Sequence, residues 1–125
     1  MDMPEWIHRL FAGIDARDAD AFASFLAEPV AFRYGSQPAV VGRAAVRLYV
    51  ADFFAGLDGL SHELLGFWWG EPERVCFVRG DVTYRLADGR RVTLPFLNQI
   101  ELSGAGITDY RVYADPTPLF VPAAG

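Results

Sequence analysis

Residues 75–86 read VCFVRGDVTYRL, and the turn sequence Ala87-Asp88-Gly89 follows them directly. A run rich in β-branched and aromatic residues that ends in a turn predicts a β-strand. Side chains two residues apart on a strand share a face, so Arg79 and Asp81 are expected to project together. Two interpretations are open: an acid–base group held in a pocket, or an ion pair in water that is worth less than about 1 kcal/mol.

The residues after Gly56 alternate between apolar and polar, which predicts four long strands. Short connections rich in glycine, proline and acidic residues join these strands, as is typical of hairpins. We therefore expect an antiparallel meander. The predicted strands cover about residues 60–69, 75–86, 91–102 and 107–114.

The residues before Gly56 show apolar positions at helical spacing, which predicts three helices. The first begins near Pro4, the second stops before Pro29, and the third runs between Gly42 and Gly56. A short strand is expected at residues 30–34. Helices first and a meander afterwards predict an α+β fold, with three N-terminal helices packed on one face of a strongly curved antiparallel sheet.

The composition is that of one domain over residues 1–125, with 52% hydrophobic and 14% aromatic residues. This apolar excess predicts either a lined cavity or a buried oligomer interface. The formal net charge of −5, without a basic cluster, argues against binding to nucleic acid or to anionic membranes.

Only one cysteine, Cys76, is present, which excludes an internal disulfide and a multi-cysteine zinc site. No His, Cys, Asp or Glu group has the spacing of metal ligands, and no cofactor is predicted. The first residues lack a basic leader and no apolar run reaches membrane-spanning length, so we expect a cytoplasmic protein.

Three kinds of polar residue are candidates for a pocket. Asn98 shares a strand face with apolar residues such as Phe96, and a buried amide needs partners, so it either hydrogen-bonds within the core or faces a ligand. His62 alternates with leucines, and its ordinary pKa suits proton transfer near neutral pH; a structural histidine is the alternative. Tyr34, Tyr49 and Tyr110 offer hydroxyls to a cavity, or form an aromatic wall with the hydroxyl at its rim.

The predicted order of elements resembles the nuclear transport factor 2-like, or SnoaL-like, superfamily, in which a sheet curls round a cone-shaped pocket plugged by helices. Residues 107–115, ITDYRVYAD, are similar to the last strand of that superfamily. The segments Leu86–Arg90 and Gly42-Arg43 fall in register with its limonene-epoxide-hydrolase-type branch. The resemblance covers most of the chain.

The resemblance to that branch implies an incomplete catalytic set. Arg79 and Asp81 match its arginine and its acid, whereas Val112 stands in place of the aspartate that activates water. Phe32 and Tyr34 replace the tyrosine and the asparagine that hold this water. Scytalone-dehydratase-like members of the superfamily use pocket histidines, which makes His62 a third catalytic candidate.

The same resemblance places Arg79 and Asp81 on the concave side of the sheet. It leaves the apolar even-numbered face of residues 75–86 to pair with a second subunit, so a homodimer is expected. The ligand-binding residues that it implies, together with the candidates above, are Phe32, Tyr34, Tyr49, Phe96, Asn98, Tyr110 and Val112.

Two functions remain open from the sequence. The first is an enzyme that uses Asp81 for acid–base chemistry, such as isomerisation, dehydration or cyclisation of a small, largely apolar metabolite. Hydrolysis is disfavoured because Val112 and Phe32 leave no group to activate water. The second is a non-catalytic ligand-binding or dimerisation module with a degenerate active site, since fold alone does not define function.

Overall fold

The computed structural model describes residues 3–120. Residues 1–2 and 121–125 of the predicted domain lie outside the described part. The elements in chain order are α1 (Glu5–Asp15), α2 (Ala19–Ala23), β1 (Leu26–Tyr34), β2 (Val40–Val41), α3 (Arg43–Ala55), β3 (Leu57–Trp69), β4 (Val75–Leu86), β5 (Arg91–Ser103), β6 (Gly106–Tyr113) and α4 (Thr117–Phe120).

The strands form one six-stranded sheet in the order β2-β1-β6-β5-β4-β3. Strands β3 to β6 make the predicted antiparallel meander. The prediction of a wholly antiparallel sheet is wrong, because β1 runs parallel to β6 and makes the sheet mixed. Hairpin turns dictate only the pairing of neighbouring strands, whereas β1 and β6 are joined by most of the chain and need no hairpin.

The three predicted N-terminal helices are present, and their ends follow local sequence signals. Gly42 and Gly56 flank α3 at its two ends. Asp18 caps α2, where its side chain accepts a hydrogen bond from the Ala21 amide. Helix α2 is shorter than predicted, because Leu26 already belongs to β1 and pairs with β6.

The helices cover one face of the sheet, which we call the inner face. Along β4 the inner face carries the buried residues Cys76, Val78, Val82 and Tyr84. Helix α1 meets this face with its own buried stripe, which includes Leu10. Each such side chain contributes about 1.5–3 kcal/mol to stability by leaving water.

Arg79, Asp81 and Thr83 alternate with these buried residues and point to the opposite side, the outer face. The expectation that the even-numbered face of β4 pairs with a second subunit is therefore wrong. That face packs against the helices of its own chain.

Gly80 lies on the inner face at the point where β3 bulges, between Leu64 and Gly66. A Cβ atom at Gly80 would overlap the Glu63 carbonyl oxygen and would lie 3.0 Å from Cε1 of Phe96. Only glycine permits this approach. The bulge and the Phe96 ring therefore both depend on the middle residue of the Arg-Gly-Asp sequence.

Candidate functional site

A cavity of about 260 Å³ lies between the helices and the inner face of the sheet. Pro116, Leu119 and Phe120, in and before α4, line one side of it. All seven residues predicted to bind a ligand lie on its wall, and so does His62. Their role in binding remains a prediction, but the structure brings them together around one mostly apolar space.

The side chains of His62 and Asp15 make a short contact at the cavity wall. Asp15 is the last residue of α1, and its Oδ1 lies 2.5 Å from Nδ1 of His62. Its other oxygen, Oδ2, accepts a hydrogen bond of 3.0 Å from the His62 backbone amide. The carboxylate thus fixes both the backbone and the ring of His62 across two elements.

Two phenylalanines hold the His62 ring from its sides. The Phe11 ring lies 5.0 Å from it, and the Phe96 ring lies 5.2 Å away and nearly perpendicular. The His62 side chain is only 9% exposed. With Nδ1 held by a carboxylate, the proton sits on that nitrogen and the Nε2 lone pair is left to act as a base toward the cavity.

A second polar pair joins opposite sides of the cavity. The hydroxyl oxygens of Tyr34 and Tyr84 lie 2.6 Å apart. Tyr34 pairs with Val112 on β6, Val112 with Asn98 on β5, and Asn98 with Val78 on β4, so these four residues form one row across the sheet. Tyr84 lies six residues beyond Val78 along β4. In a flat sheet that offset alone would be about 20 Å. The hydroxyl contact therefore requires the sheet to bend round the cavity.

Both of these tyrosines keep their protons at neutral pH. Burial raises the pKa of Tyr84 far above its ordinary value, and the neighbouring Tyr34 raises it further. Burial also raises the pKa of Tyr34. In such a pair one hydroxyl donates to the other, and the hydrogen of the accepting hydroxyl remains available to a ligand.

A third polar pair lies on β5 and β6. Nδ2 of Asn98 donates a 2.8 Å hydrogen bond to the Tyr110 hydroxyl, and Asn98 is only 3% exposed. Its Oδ1 has no hydrogen-bond partner. Both interpretations of Asn98 from the sequence thus apply in part, because one end of the amide is satisfied in the core and the other is not.

The structure separates Arg79 and Asp81 from this cavity. Both residues lie on the outer face of β4, and neither lines the cavity. Within residues 3–120 no ion pair joins them. The prediction of a pocket acid at Asp81 beside Arg79 is therefore corrected, because simple strand alternation puts the charged side chains on the solvent side.

Asp15 is the candidate site residue that sequence reasoning missed. It ends a helix and precedes a turn, where aspartate is common for purely local reasons. Its partner His62 is 47 positions away on a strand, so no spacing connects them. Only the packing of α1 against β3 brings the pair together.

The remaining reactive groups do not extend the site. Burial raises the pKa of the Cys76 thiol to about 12, so it stays protonated and is a poor nucleophile. Within residues 3–120, no three His, Cys, Asp or Glu side chains are placed to hold a metal ion. None of the helices in that range is long and apolar enough to cross a membrane.

The sequence of residues 7–110 matches the family model of the SnoaL-like domain. No curated protein matches the chain. Among solved structures, the fold is similar to that of a "putative SnoaL-like polyketide cyclase" from Jannaschia sp. CCS1, with 16% identity, a TM-score of 0.80, and coverage of 96% of this chain and 94% of that chain.

Two further structures share the fold. One is the epoxide hydrolase/cyclase-like enzyme SalBIII of pyran ring formation in salinomycin, with 19% identity, a TM-score of 0.78 and 90% of each chain covered. The other is an NTF2-like protein of unknown function from Exiguobacterium sp. 255-15, with 21% identity, a TM-score of 0.76, and 87% of this chain and 97% of that chain covered. Identities this low show a common fold and leave the limonene-epoxide-hydrolase-type branch a prediction. The family match, which spans most of the chain, shows that this protein belongs to the SnoaL-like domain family.

Proposed function

We propose that this protein is an enzyme that transfers protons on a small, largely apolar metabolite, with His62 as the acid–base group. The observation that carries the proposal is the 2.5 Å contact between Asp15 and His62 at the wall of an apolar cavity. Asp15 replaces Asp81 as the essential carboxylate. Its role is to orient the imidazole and to stabilise the imidazolium that forms when His62 accepts a proton.

The Tyr34–Tyr84 pair lies close enough to take part in the same reaction. Val82 is directly opposite His62 in the β3–β4 ladder, and Tyr84 is two residues farther along the same face. Such diagonal neighbours have Cβ atoms about 7–8 Å apart. A substrate carbonyl that accepts a hydrogen bond from this pair would present its adjacent C–H group toward His62.

The proposed step begins with the removal of a proton from carbon. Nε2 of His62 takes this proton from the carbon next to the carbonyl, the C–H electron pair forms a C=C bond, and the carbonyl π electrons move to oxygen. The tyrosine hydroxyl stabilises the resulting negative charge. Return of the proton to another atom gives isomerisation. Loss of a hydroxyl group from the next carbon, as water that takes up the proton held by Nε2, gives dehydration. Attack of the carbanion on a second carbonyl carbon of the same molecule, whose oxygen takes the proton from Nε2, gives ring closure.

Ring closure is the reaction that the comparisons favour. SalBIII is described as an "epoxide hydrolase/cyclase-like enzyme" with a role in pyran ring formation, and the Jannaschia protein is named as a "putative SnoaL-like polyketide cyclase". Epoxide hydrolysis has less support. Arg79 and Asp81, which match the limonene-epoxide-hydrolase-type branch, lie on the outer face, and Val112 offers no group to activate water.

Deuterium exchange of 2-tetralone tests the proposal without knowledge of the natural substrate. This bicyclic ketone carries acidic C–H groups beside a carbonyl, and its uptake of deuterium from D₂O is followed by NMR. We expect the protein to accelerate the exchange over buffer, and His62→Gln to abolish the acceleration. Asp81→Asn is the matched control and should retain the full rate.

The same experiment separates the enzyme from its alternative, a ligand-binding module with a degenerate site. Ligand-induced shifts of cavity resonances report binding of 2-tetralone independently of exchange. Binding without acceleration would favour the module and overturn the enzyme. Acceleration that is lost in Asp81→Asn and kept in His62→Gln would return the chemistry to the outer face.

We also propose that two copies pair through the outer face of the sheet. Trp68 and Tyr113 are 42% and 48% exposed there, beside the half-buried Phe77 and Leu97. A face of this kind suits a symmetric interface. Light scattering at micromolar concentration should give the mass of a dimer and, for Trp68→Glu, that of a monomer. A monomeric parent protein would contradict the proposal.

A further inference from the structure

The Asn98 side chain has an unsatisfied acceptor at the cavity wall. Its Nδ2 donates a hydrogen bond to the Tyr110 hydroxyl. Its Oδ1 is the only buried side-chain nitrogen or oxygen in residues 3–120 that has no hydrogen-bond partner. The residue is 3% exposed and lines the cavity. Leaving such a group unpaired is destabilising, so the free protein is less stable than an apolar residue would make it.

Neither the protein nor a lone water supplies the missing donor well. Asn98 pairs with Val78 and Val112 on the neighbouring strands, and both neighbours are apolar. A buried water needs about two to four polar partners. The two apolar neighbours give a water at Oδ1 no such partner on either side in the sheet.

The free Oδ1 is also separate from the proposed proton-transfer group. His62 pairs with Val82 on β4, whereas Asn98 pairs with Val78 on the same strand. Four residues along a strand of a flat sheet correspond to about 13 Å. The two polar groups thus belong to different rows of the sheet, and one ligand meets both with two of its own groups.

We infer that the ligand of this cavity carries a hydroxyl, and that this hydroxyl donates its hydrogen bond to Oδ1 of Asn98. The substrate class is a compound of one or two rings with a phenol, enol or alcohol group in addition to the reacting carbon. A cavity of about 260 Å³ has the volume of about nine waters, which suits such a molecule. The inference shares its cavity with the proposed function, but it is a statement about binding and requires no turnover.

Three bicyclic probes of nearly equal shape test the inference. 2-Naphthol offers a donor, 2-methylnaphthalene offers an apolar group of similar size, and quinoline offers only an acceptor. Dissociation constants are measured by calorimetry or by NMR titration. We expect 2-naphthol to bind about tenfold more tightly than 2-methylnaphthalene, because it alone satisfies the buried acceptor.

Two variants assign this preference to Asn98. Asn98→Leu keeps the volume and removes the acceptor, so 2-naphthol and 2-methylnaphthalene should bind within about threefold of each other. The double variant Asn98→Leu with Tyr110→Phe also removes the hydroxyl that would otherwise lose its partner. It should unfold at the same urea concentration as the parent protein or at a higher one, while the preference for 2-naphthol is still lost.

Several outcomes would overturn the inference. Equal binding of 2-naphthol and 2-methylnaphthalene to the parent protein is one, and tighter binding of quinoline is another. A preference for 2-naphthol that survives in Asn98→Leu would assign it to a different acceptor. Should the variants not fold, the parent protein still decides: a bound 2-naphthol whose oxygen lies beyond hydrogen-bond distance from Oδ1 excludes the inference. None of these results depends on exchange of 2-tetralone.

Discussion

The two faces of strand β4 carry residues of opposite character within one stretch of twelve. The inner face presents Val82 and Tyr84 to the cavity, where His62 lies opposite Val82. The outer face carries the exposed Arg79 and the half-buried Asp81, outside the cavity and without an ion pair between them. An arginine beside an aspartate is the more familiar acid–base combination. The environment that favours proton transfer, an apolar cavity, is on the inner face.

This difference teaches that burial and orientation decide what a titratable group can do. An exposed carboxylate is solvated, free to rotate and screened by salt. The Asp15 carboxylate is held by two hydrogen bonds against an imidazole that is walled by aromatic rings. A fixed acid–base pair needs no solvent reorganisation when a proton moves, which is the basis of its catalytic advantage.

The largest expected difference between the faces is in proton transfer. His62→Gln should lower the protein-catalysed exchange of 2-tetralone by about 10²–10⁴-fold, because it removes the general base. Asp81→Asn should leave the rate within about twofold, because Asp81 lies on the outer face and does not line the cavity. NMR detection of deuterium uptake measures both. An equal loss of exchange rate in the two variants would show that the inner and outer faces do not differ in proton transfer.

A smaller loss is expected when the partner of His62 is changed. Asp15→Asn removes the charge that stabilises the imidazolium, and a hydrogen bond to a charged group is worth about 1.5–3 kcal/mol, so the rate should fall about 10- to 100-fold. Asp109→Asn is the control, since Asp109 pairs with Arg111 away from the cavity. Exchange rates that stay unchanged in Asp15→Asn would show that the 2.5 Å contact has only a structural role.

The inner face should also be less tolerant of added volume. Gly80→Ala forces a methyl group against the Glu63 carbonyl and the Phe96 ring, so it should cost about 1–3 kcal/mol or more in the free energy of unfolding. Gly104→Ala places the same methyl group where no atom lies within 4 Å. Urea denaturation should find that variant as stable as the parent protein. Equal stability of the two variants would show that the surroundings of Gly80 yield to the methyl group and that close packing does not set the cost.

The smallest effect concerns alkaline pH. Burial raises the pKa of Tyr84 and Tyr110 in the folded protein, while in the unfolded chain both titrate near 10. The unfolded chain therefore loses protons first as the pH rises. The associated stability is fully present below about pH 10 and falls above it, by up to about 1.4 kcal/mol per pH unit for each tyrosine.

Urea midpoints measured between pH 9 and pH 11 check this expectation. Tyr84→Phe should make the decline less steep, because it removes one of the two buried hydroxyls. A decline that is as steep in Tyr84→Phe as in the parent protein would assign it to other groups.

Much of the fold could be predicted from local patterns. The strand at residues 75–86 has the predicted bounds, and Gly42 and Gly56 flank α3 as expected. These features depend on the alternation and capping of neighbouring residues, which the sequence displays directly. The parallel pairing of β1 with β6 could not be read in this way, because it joins segments from the two ends of the chain.

The site was only partly predictable for the same reason. Apolar alternation identifies Phe96 and Asn98 as an inward-facing pair on β5, and both do line the cavity. The family resemblance predicts that Arg79 and Asp81 lie on the concave side of the sheet. The alternation of apolar and charged residues in β4 puts them on the outer face, where the structure has them. The role of Asp15 depends on a contact between a helix end and a distant strand, for which a single sequence carries no signal.

The parallel ladder between β1 and β6 has a consequence for how the protein reaches its folded state. It pairs Leu26 with Ile107 and Tyr34 with Val112, residues that are roughly eighty positions apart. Closing a loop of that length costs about 4 kcal/mol in chain entropy, far more than any hairpin of the meander. Tyr34 meets Tyr84 only after this ladder has formed, because β1 carries one side of the cavity and β4 the other. The meander can gain its hydrogen bonds from neighbours in sequence, whereas the cavity exists only when the two ends of the chain have met.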